Sequence, residues 1–510
     1  MFTLPRAVAP LALAGLCFAA PAGAAPPEPD PAAAETAEGY RIEVFAQDLD
    51  YPTSVEPDGA GGLFVALSGE APGDPSAEPA LLHFAADGAR RRVPVDGLQP
   101  PVTDLLMRDG DLLISHSTKI SLLEDPRGDA PTLRDLVTGL PSLGDHENNQ
   151  LTVGPDGGLY VGQGTATNSG VVGLDNKKWL KKHPDVHELA PAPLRTRGEV
   201  FPTKDPLSEG AADDTARTSA YQPFDVATPD GATIPGTAKA NGTALRFDAD
   251  GSNPTVYAWG LRNPFGLLWV GGTLYVTENG LDVRGSRPVA NDLEDLYVVK
   301  EGAFYGWPDF GSGDPVTDPR FKPDGKPQPT FLLADHPPVE RPVATYPKHS
   351  AIAKLDASPG GAFGFEGQLF IAFFGHMTPL TGTPPEEHGG HRVVRFDPAT
   401  GRSTTFFGPK SHHHGGHAEG GQAEGGHHGG DQKNDGRQES GHGEGAGHGG
   451  SGHGGHAPGG SAGPRRPMDV RFAADGSAMY VADFGLMPVD ENGPHAKPGT
   501  GVIWKISPAD

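Results

Sequence analysis

The sequence predicts an all-β fold, a six-bladed β-propeller with long loop insertions. Three observations indicate it. A Gly- and Asp-containing turn followed by a short apolar, β-rich run returns six times, and a second strand signal follows several of these copies. In addition, no long run shows helical periodicity. Short strands with regularly spaced turn signals are typical of propeller blades. An irregular array of β-sandwiches is the alternative arrangement.

Each copy combines residues that favour a tight turn with residues that favour a strand. The six copies are 58–65, 109–114, 155–161, 271–276, 364–371 and 474–481. The second strand signals are 81–84, 245–247, 295–299, 393–396 and 502–506. One further strand, at 40–45, is predicted to close the ring beside the C-terminal blade.

Three insertions widen the spacing between the copies, at 170–240, 300–350 and 411–460. The third holds 10 of the chain's 21 His and 20 of its 74 Gly. Because almost no apolar side chain is present there, we expect a disordered His/Gly-rich insert over 411–463. Imidazoles at this density also predict weak binding of transition metals. A solvated spacer without specific function is the alternative.

The N-terminal segment is predicted to be a signal peptide over 1–24. Arg6 precedes an apolar run at 7–20 that is too short to span a bilayer well, and Ala22-Gly23-Ala24 predicts cleavage after Ala24. Residues 25–39 are expected to be a disordered linker, and 40–510 the propeller domain. We therefore expect a periplasmic or secreted protein without a membrane span.

Composition excludes several classes of protein. The chain has 65 Asp and Glu against 40 Lys and Arg, a formal net charge of −25, which argues against nucleic-acid binding. Its one cysteine, Cys17, lies within the predicted signal peptide, where lipidation is the alternative to simple cleavage. The mature chain then lacks the thiols needed for disulfides, iron–sulfur clusters or an attached haem.

Common catalytic motifs are absent from the sequence. There is no G-x-G-x-x-G opening a helix, no P-loop and no H-E-x-x-H. Function in a propeller resides in the loops around one end of the central channel. The polar residues directly beside the repeat strands are therefore the candidates for a functional site.

The first polar stretch contains His146 between Asp145 and Glu147, just before the third repeat. A His beside carboxylates can have its tautomer fixed, as a general base requires. The alternative is a His that only makes hydrogen bonds within a polar turn.

The second stretch contains Arg262 and Asn263, held between Gly260 and Pro264 before the fourth repeat. A guanidinium binds planar anions in a bidentate manner, so this pair suits carboxylates or quinone oxygens. The alternative is an Arg that satisfies loop carbonyls.

The third stretch, 277–282, is followed by the acidic run 292–295 and by Tyr305-Gly306-Trp307-Pro308. Carbonyls with carboxylates nearby are the oxygen ligands that Ca²⁺ prefers. A solvated acidic loop is the alternative in so negative a protein.

Taken together, these stretches resemble the glucose/sorbosone dehydrogenase family of soluble sugar dehydrogenases that use pyrroloquinoline quinone (PQQ). The similarity runs from about residue 40 to 506. Its most specific parts are 260–266, 305–308 and His146 upstream of 154–157, and Arg466-Pro467-Met468 is a weaker match. The resemblance implies a six-bladed propeller, PQQ and Ca²⁺ as cofactors, a small sugar substrate and a separate electron acceptor.

The resemblance also implies residue roles. His146 matches the general base, and Arg262 would stabilise negative charge on the quinone. Cofactor contacts would come from Arg262, Asn263, Arg466 and His349. The carbonyls of Gly280 and Leu281 would bind Ca²⁺.

Two positions depart from the family pattern. Thr165 stands where relatives have the Asp that orients the catalytic His, so either Asp145 or Glu147 takes that role or the base is weaker. Met468 replaces a second Arg. A lactonase-type metal enzyme and a non-catalytic propeller that binds glycan, protein or metal therefore remain alternatives.

Overall fold

Six antiparallel sheets form a ring, each sheet being one blade of a β-propeller. This is a computed structural model, which describes residues 26–205, 207–208, 215–379, 390–410 and 462–509. The innermost strand of each blade contacts the innermost strand of the next, and blade 6 contacts blade 1, which closes the ring. The predicted six-bladed fold is confirmed. The predicted signal peptide and nearly all of the His/Gly-rich insert lie outside the described residues.

The strands of each blade follow one another from the channel outward. Blade 1 is Pro52–Pro57, Leu63–Leu67, Ala80–Phe84 and Arg90–Arg92; blade 2 is Val102–Arg108, Asp111–His116, Lys119–Glu124 and Thr132–Thr138. Blade 3 is Asn148–Val153, Leu159–Gln163, Thr243–Phe247 and Thr255–Trp259; blade 4 is Pro264–Val270, Thr273–Glu278, Glu294–Val299 and Ala344–Tyr346. Blade 5 is Ile352–Ala357, Leu369–Phe373, Arg392–Asp397, Arg402–Pro409 and Ala34–Thr36; blade 6 is Pro467–Phe472, Met479–Asp483, Gly501–Pro508 and Tyr40–Leu49.

The repeat seen in the sequence is the hairpin between the innermost and second strands of each blade. The second strand signals are the third strands of five blades. The predicted closing strand is present as Tyr40–Leu49, which pairs with Gly501–Pro508. The N-terminal and C-terminal parts of the chain thus share blade 6.

The N-terminal linker departs from the expectation of disorder. Pro31–Ala33 forms a 3₁₀ turn, and Ala34–Thr36 pairs with Arg402–Pro409 as a fifth strand of blade 5. Three residues of unremarkable composition carry no strand signal of their own. The open edge of blade 5 supplies the hydrogen bonds that order them.

Within the described residues, the insertions at 170–240 and 300–350 carry short elements only. They contain one helical turn, Lys177–Leu180, the 3₁₀ turns Leu174–Asn176 and Pro319–Phe321, and the paired strands Leu194–Arg195 with Thr233–Ile234, Val200–Lys204 with Thr215–Ser219, and Phe310–Gly311 with Asp314–Pro315. A 3₁₀ turn at Gly361–Phe363 and the ribbon Val489–Asp490 with Gly493–Pro494 lie in blades 5 and 6. Among the described residues, no helix is long and apolar enough to cross a membrane.

The hydrophobic core lies between neighbouring blades. Between blades 5 and 6, for example, Phe370 packs with Phe472 and with the fully buried Trp504 in one cluster. Because these apolar contacts cover the blade faces, the central channel is left to polar side chains.

The third residues of the innermost strands of blades 1, 2, 5 and 6 form a polar plug across the channel. Ser54 of blade 1 donates to Asp104 of blade 2 at 3.1 Å and to Asp469 of blade 6 at 2.8 Å. Lys354 of blade 5 donates to the same two carboxylates, at 2.9 and 3.3 Å. The plug therefore ties four blades together.

The fifth residues of the innermost strands lie on one side of this plug. Arg471 contacts Asp469, Asp104 and Glu56 at 2.7, 2.8 and 3.3 Å. A cavity of about 790 Å³ opens there, lined in part by Glu56, Asp356 and Arg471. The strand beginnings, and the residues singled out by the sequence, lie at the other end of the channel.

Candidate active site

The candidate residues occupy corresponding places in four consecutive blades. His146, Arg262, His349 and Arg466 each come just before the innermost strand of blades 3, 4, 5 and 6. Since these strands run in the same direction along the channel, their beginnings meet at one end. The fold therefore collects these side chains at one face of the ring.

His146 is held by the residue that follows the second strand of its own blade. Its Nδ1 atom lies 2.9 Å from Oγ1 and 3.0 Å from the carbonyl oxygen of Thr165. The Thr165 hydroxyl donates to the Thr167 carbonyl at 2.8 Å, so Oγ1 accepts from the imidazole. Both partners of Nδ1 are then acceptors, which places the proton on Nδ1 and leaves Nε2 as the basic atom.

The approach of His146 to this strand depends on a glycine. A Cβ atom at Gly164 would lie 2.3 Å from the Cβ of His146 and 3.2 Å from Oδ1 of Asn263. Any larger residue would push the two functional side chains away. Gly164 therefore allows His146 and Asn263 to share one corner of the site.

The charge state of His146 follows from its surroundings. Burial lowers its pKa well below the ordinary value, and the nearby guanidinium groups of Arg262 and Arg284 lower it further. The imidazole is therefore neutral at physiological pH. A neutral imidazole with a fixed tautomer can accept a proton at Nε2.

Neither neighbouring carboxylate orients the imidazole. Asp145 accepts from Arg284 at 2.6 Å and from Asn176 at 3.0 Å, and it forms no hydrogen bond with His146. Glu147 forms none with His146 either, and burial raises its pKa to about 8. Thr165 itself performs the orienting role that the sequence left open.

Arg262 is almost fully buried and is fixed by four hydrogen bonds. Its Nε donates to the Asn168 carbonyl at 3.1 Å, and Nη2 donates to the Asn168 side chain at 3.0 Å and to Asp282 at 2.9 Å. Nη1 donates to the Asn279 carbonyl at 3.4 Å. One N–H of Nη1 then has no partner among the described residues and is available to a ligand.

Asp282 is the common partner of three positively charged or ionisable groups. It accepts from Arg262 at 2.9 Å and from Arg284 at 3.3 Å, and its other oxygen lies 3.4 Å from Nδ1 of His349. Burial alone would raise the pKa of Asp282, but Arg262, His349 and Arg284 together hold it well below the ordinary value. The structure thus brings Arg262 and His349 together through one carboxylate.

Asn263 belongs to a chain of side-chain amides. Its Oδ1 accepts from Asn149 at 3.0 Å, and its Nδ2 donates to Asn279 at 2.8 Å. Asn279 donates in turn to Glu294 at 2.9 Å. This chain fixes the orientation of the Asn263 amide and leaves one of its N–H groups for a ligand.

Gly280 and Leu281 follow the second strand of blade 4. The Leu281 amide donates to Asp292 at 2.8 Å. The carbonyl oxygens of Gly280 and Leu281 accept no hydrogen bond from any described residue. Carbonyls without donors at a largely buried position fit a hard cation such as Ca²⁺.

Arg466 makes a different kind of contact from Arg262. Its two terminal nitrogens donate to the carbonyls of Gly375, His376 and Met487 at 3.1–3.3 Å. The guanidinium also lies over the ring of Phe374, 4.8 Å from its centroid. Only Nε then lacks an acceptor among the described residues, so at most one N–H is free for a ligand.

Sequence reasoning missed several residues that hold the site in place. Asn168 contacts Arg262, Arg284 contacts Asp145 and Glu188 contacts Thr167, yet none of the three carries a motif or a regular spacing. The sequence contains one signal for this region, which is that Thr165 stands where relatives have the Asp that orients the catalytic His. Glu188 lies in the long insertion of blade 3, and Arg284 lies in the loop after the second strand of blade 4.

The fold and this site define a six-bladed propeller with a buried His–Arg pair at one end of its channel. Residues 233–378, which contain Arg262, Gly280 and His349, match the family model of glucose/sorbosone dehydrogenase. That match confirms the family resemblance indicated by the motifs. A search among curated proteins finds no match to this sequence.

Solved structures share the fold along nearly the whole chain. The PQQ domain of pyranose dehydrogenase from Coprinopsis cinerea, in its holo form, is 15% identical, with 94% of this chain and 98% of that chain covered and a TM-score of 0.53. The calcium structure of a family AA12 carbohydrate-active enzyme from Trichoderma reesei is also 15% identical, with 94% and 97% covered and a TM-score of 0.50. Likeness at this identity shows the shared fold.

Proposed function

We propose that this protein is a dehydrogenase that oxidises a sugar or sugar aldehyde, with PQQ and Ca²⁺ as cofactors. The observation that carries the proposal is the neutral, tautomer-fixed His146 at the same channel end as Arg262. The family model over 233–378 and the shared fold with a pyranose dehydrogenase PQQ domain support it. A panel of candidate substrates would identify the particular sugar.

His146 acts as the general base in this proposal. Its Nε2 takes the proton of the substrate hydroxyl as the adjacent C–H bond loses a hydride. Thr165 keeps the proton of the ring on Nδ1, so Nε2 stays available. Burial keeps the imidazole from being protonated by solvent, because its pKa lies well below the ordinary value.

Arg262 supplies positive charge where negative charge develops. Its guanidinium is held in place before any reaction, since Asn168 and Asp282 fix its position. Such preorganised charge in a site shielded from water stabilises an anionic transition state without reorganisation. The free N–H of Nη1 and the free N–H of Asn263 are the donors that a quinone oxygen would meet.

The cofactor residues are those predicted from the sequence. The carbonyls of Gly280 and Leu281 would hold Ca²⁺, and PQQ would lie against Arg262 and Asn263. When bound, PQQ supplies the acceptor of the hydride and Ca²⁺ polarises it as a Lewis acid. His349 and Arg466 are proposed as further PQQ contacts, Arg466 through its Nε.

Electrons would leave for a separate carrier, because the mature chain has no cysteine with which to attach its own haem. We further propose a periplasmic or secreted location, after removal of the segment that ends at Ala24.

Calorimetric titration of PQQ, with and without Ca²⁺, tests the cofactor assignment. We expect one PQQ per chain, bound more tightly with Ca²⁺, and a loss of affinity of about tenfold or more in Arg262→Gln. Arg195→Gln is the matched control, because Arg195 is 60% exposed and contacts only the exposed Asp335 in a salt bridge. Equal PQQ affinity in the two variants, or no PQQ binding by the wild type, would contradict the proposal.

The alternative functions predict different outcomes. A lactonase would need a metal held by side chains, and within the described ranges no three His, Cys, Asp or Glu side chains are grouped for a metal ion. A non-catalytic propeller would bind a ligand without turnover. PQQ binding without oxidation of any sugar would favour that second alternative.

A further inference from the structure

One short segment touches both of the proposed catalytic side chains. Residues 165–168, which we call the bracket segment, follow the second strand of blade 3. Thr165 accepts from His146, and Asn168 accepts from Arg262 through both its carbonyl and its side chain. The Thr165 amide also donates to the Arg262 carbonyl at 2.9 Å. Movement of this segment would therefore displace the base and the arginine together.

Glu188 binds the middle of the bracket segment. One of its oxygens accepts from the Ala166 amide at 3.0 Å, and the other accepts from the amide and the hydroxyl of Thr167 at 2.7 and 2.6 Å. Glu188 is 1% exposed and comes from the long insertion of blade 3. No other described side chain offers a carboxylate to these three donors.

We infer that Glu188 is a positioning residue for both His146 and Arg262, acting through the bracket segment. The inference rests on the proposed function. The hydroxyl of Thr165 finds its acceptor in the Thr167 carbonyl, and Thr167 is fixed by Glu188. Without the carboxylate, two buried amides and one hydroxyl lose their acceptor, and the segment has to shift to satisfy them.

The charge of Glu188 is part of the arrangement. Burial raises its pKa to about 7, the bonds from Thr167 and Ala166 oppose that rise, and the charge of Asp145 adds to it. The Tyr221 hydroxyl is the other ionisable group facing it. Above about pH 7 the carboxylate is ionised and accepts all three bonds, so we expect kcat to rise with pH through this region.

Steady-state kinetics of four variants test the inference. Glu188→Gln keeps the shape but turns one acceptor oxygen into a donor group facing a buried amide. Thr167→Val removes the hydroxyl, and Thr167→Ser keeps it. Glu56→Gln is the matched control, a buried glutamate at the far side of the channel plug.

We expect Glu188→Gln to lower kcat between roughly tenfold and a hundredfold with little change in KM, and to lose the rise through pH 7. Thr167→Val should lower kcat less, while Thr167→Ser and Glu56→Gln stay near wild type. A wild-type kcat and pH profile in Glu188→Gln would overturn the inference. So would an equal loss in Thr167→Val and Thr167→Ser.

A measurement without turnover separates this inference from the proposed function. In protein labelled with ¹⁵N-histidine and free of cofactor, the ring nitrogens of His146, assigned with His146→Gln, report its tautomer. We expect the Nδ1–H form in wild type and a mixture of tautomers in Glu188→Gln. The same single tautomer in both proteins would overturn the inference, even where the wild type oxidises sugars. A wild type inactive on every sugar would defeat the proposed function but leave this readout valid.

Discussion

The imidazole Nδ1 of His146 lies 2.9 Å from the hydroxyl of Thr165, which itself donates to the Thr167 carbonyl. An uncharged side chain thus fixes the tautomer of the proposed base. A hydroxyl orients the ring but adds no negative charge to stabilise an imidazolium. The base is therefore oriented by Thr165, while burial, followed by the charges of Arg262 and Arg284, holds its pKa well below the ordinary value.

Removal of this hydroxyl tests its role. In Thr165→Val only the backbone carbonyl still accepts from Nδ1, so the ring is less firmly oriented. We expect kcat/KM to fall about tenfold, the effect of losing roughly 1.4 kcal/mol. Thr165→Ser, which keeps the hydroxyl, should stay within about threefold of wild type. Equal kinetics of the Val and Ser variants would show that the carbonyl alone orients His146.

Asp282 is expected to matter for stability as well as for the site. In Asp282→Asn, the buried Arg262 loses its ionic partner and Arg284 loses one of three. We expect the free energy of unfolding to fall by about 3 kcal/mol in urea titrations with EDTA present. Asp335→Asn removes a carboxylate from an exposed pair and should cost less than about 0.5 kcal/mol. A loss below 1 kcal/mol (roughly the value of a surface pair) in Asp282→Asn would contradict the assigned role.

Glu56, which lies beside the channel plug, predicts a dependence of stability on pH. Lys354 and Arg471 already balance Asp104 and Asp469, and burial raises the pKa of Glu56 to about 8. A carboxyl group whose pKa is raised in the folded state binds more protons there than in the unfolded chain. The contribution of Glu56 to the stability of the folded state is therefore fully present below its ordinary pKa of 4.5. It is lost as the pH rises through about 8.

Urea unfolding at pH 5, 7 and 9 measures this effect. We expect the free energy of unfolding to decrease with pH by up to about 1.4 kcal/mol per unit for Glu56 between its two pKa values. Glu56→Gln cannot ionise, so its unfolding curve should lose part of this slope. The same slope in both proteins would assign the pH dependence to other groups.

The fold was predictable because its signals are local. A turn such as 58–62, followed by an apolar run, specifies a hairpin without reference to the rest of the chain, and six such hairpins indicate the blades. The short strand Ala34–Thr36 gave no such signal, because its order comes from the edge of blade 5.

The site was predictable only in part for the same reason. His146 and Arg262 stand next to recognisable strands, and the chemistry of their side chains is visible in the sequence. Glu188 lies in an insertion without periodicity, 22 residues from Ala166 along the chain. Its contact with Ala166 depends on how that insertion folds, and the sequence pattern does not predict this. Likewise, the sequence did not predict that Arg466 donates to three backbone carbonyls.

Reconstituted turnover tests the central claim most directly. Protein spanning 25–510 is stripped of metal, loaded with PQQ and Ca²⁺, and supplied with an electron-accepting dye and a panel of aldoses, sorbosone and simple alcohols. We predict Ca²⁺-dependent dye reduction with at least one sugar, falling by roughly 10²- to 10⁴-fold in His146→Gln while PQQ remains bound. Absence of turnover with every sugar, or unchanged turnover in His146→Gln, would contradict the proposed dehydrogenase.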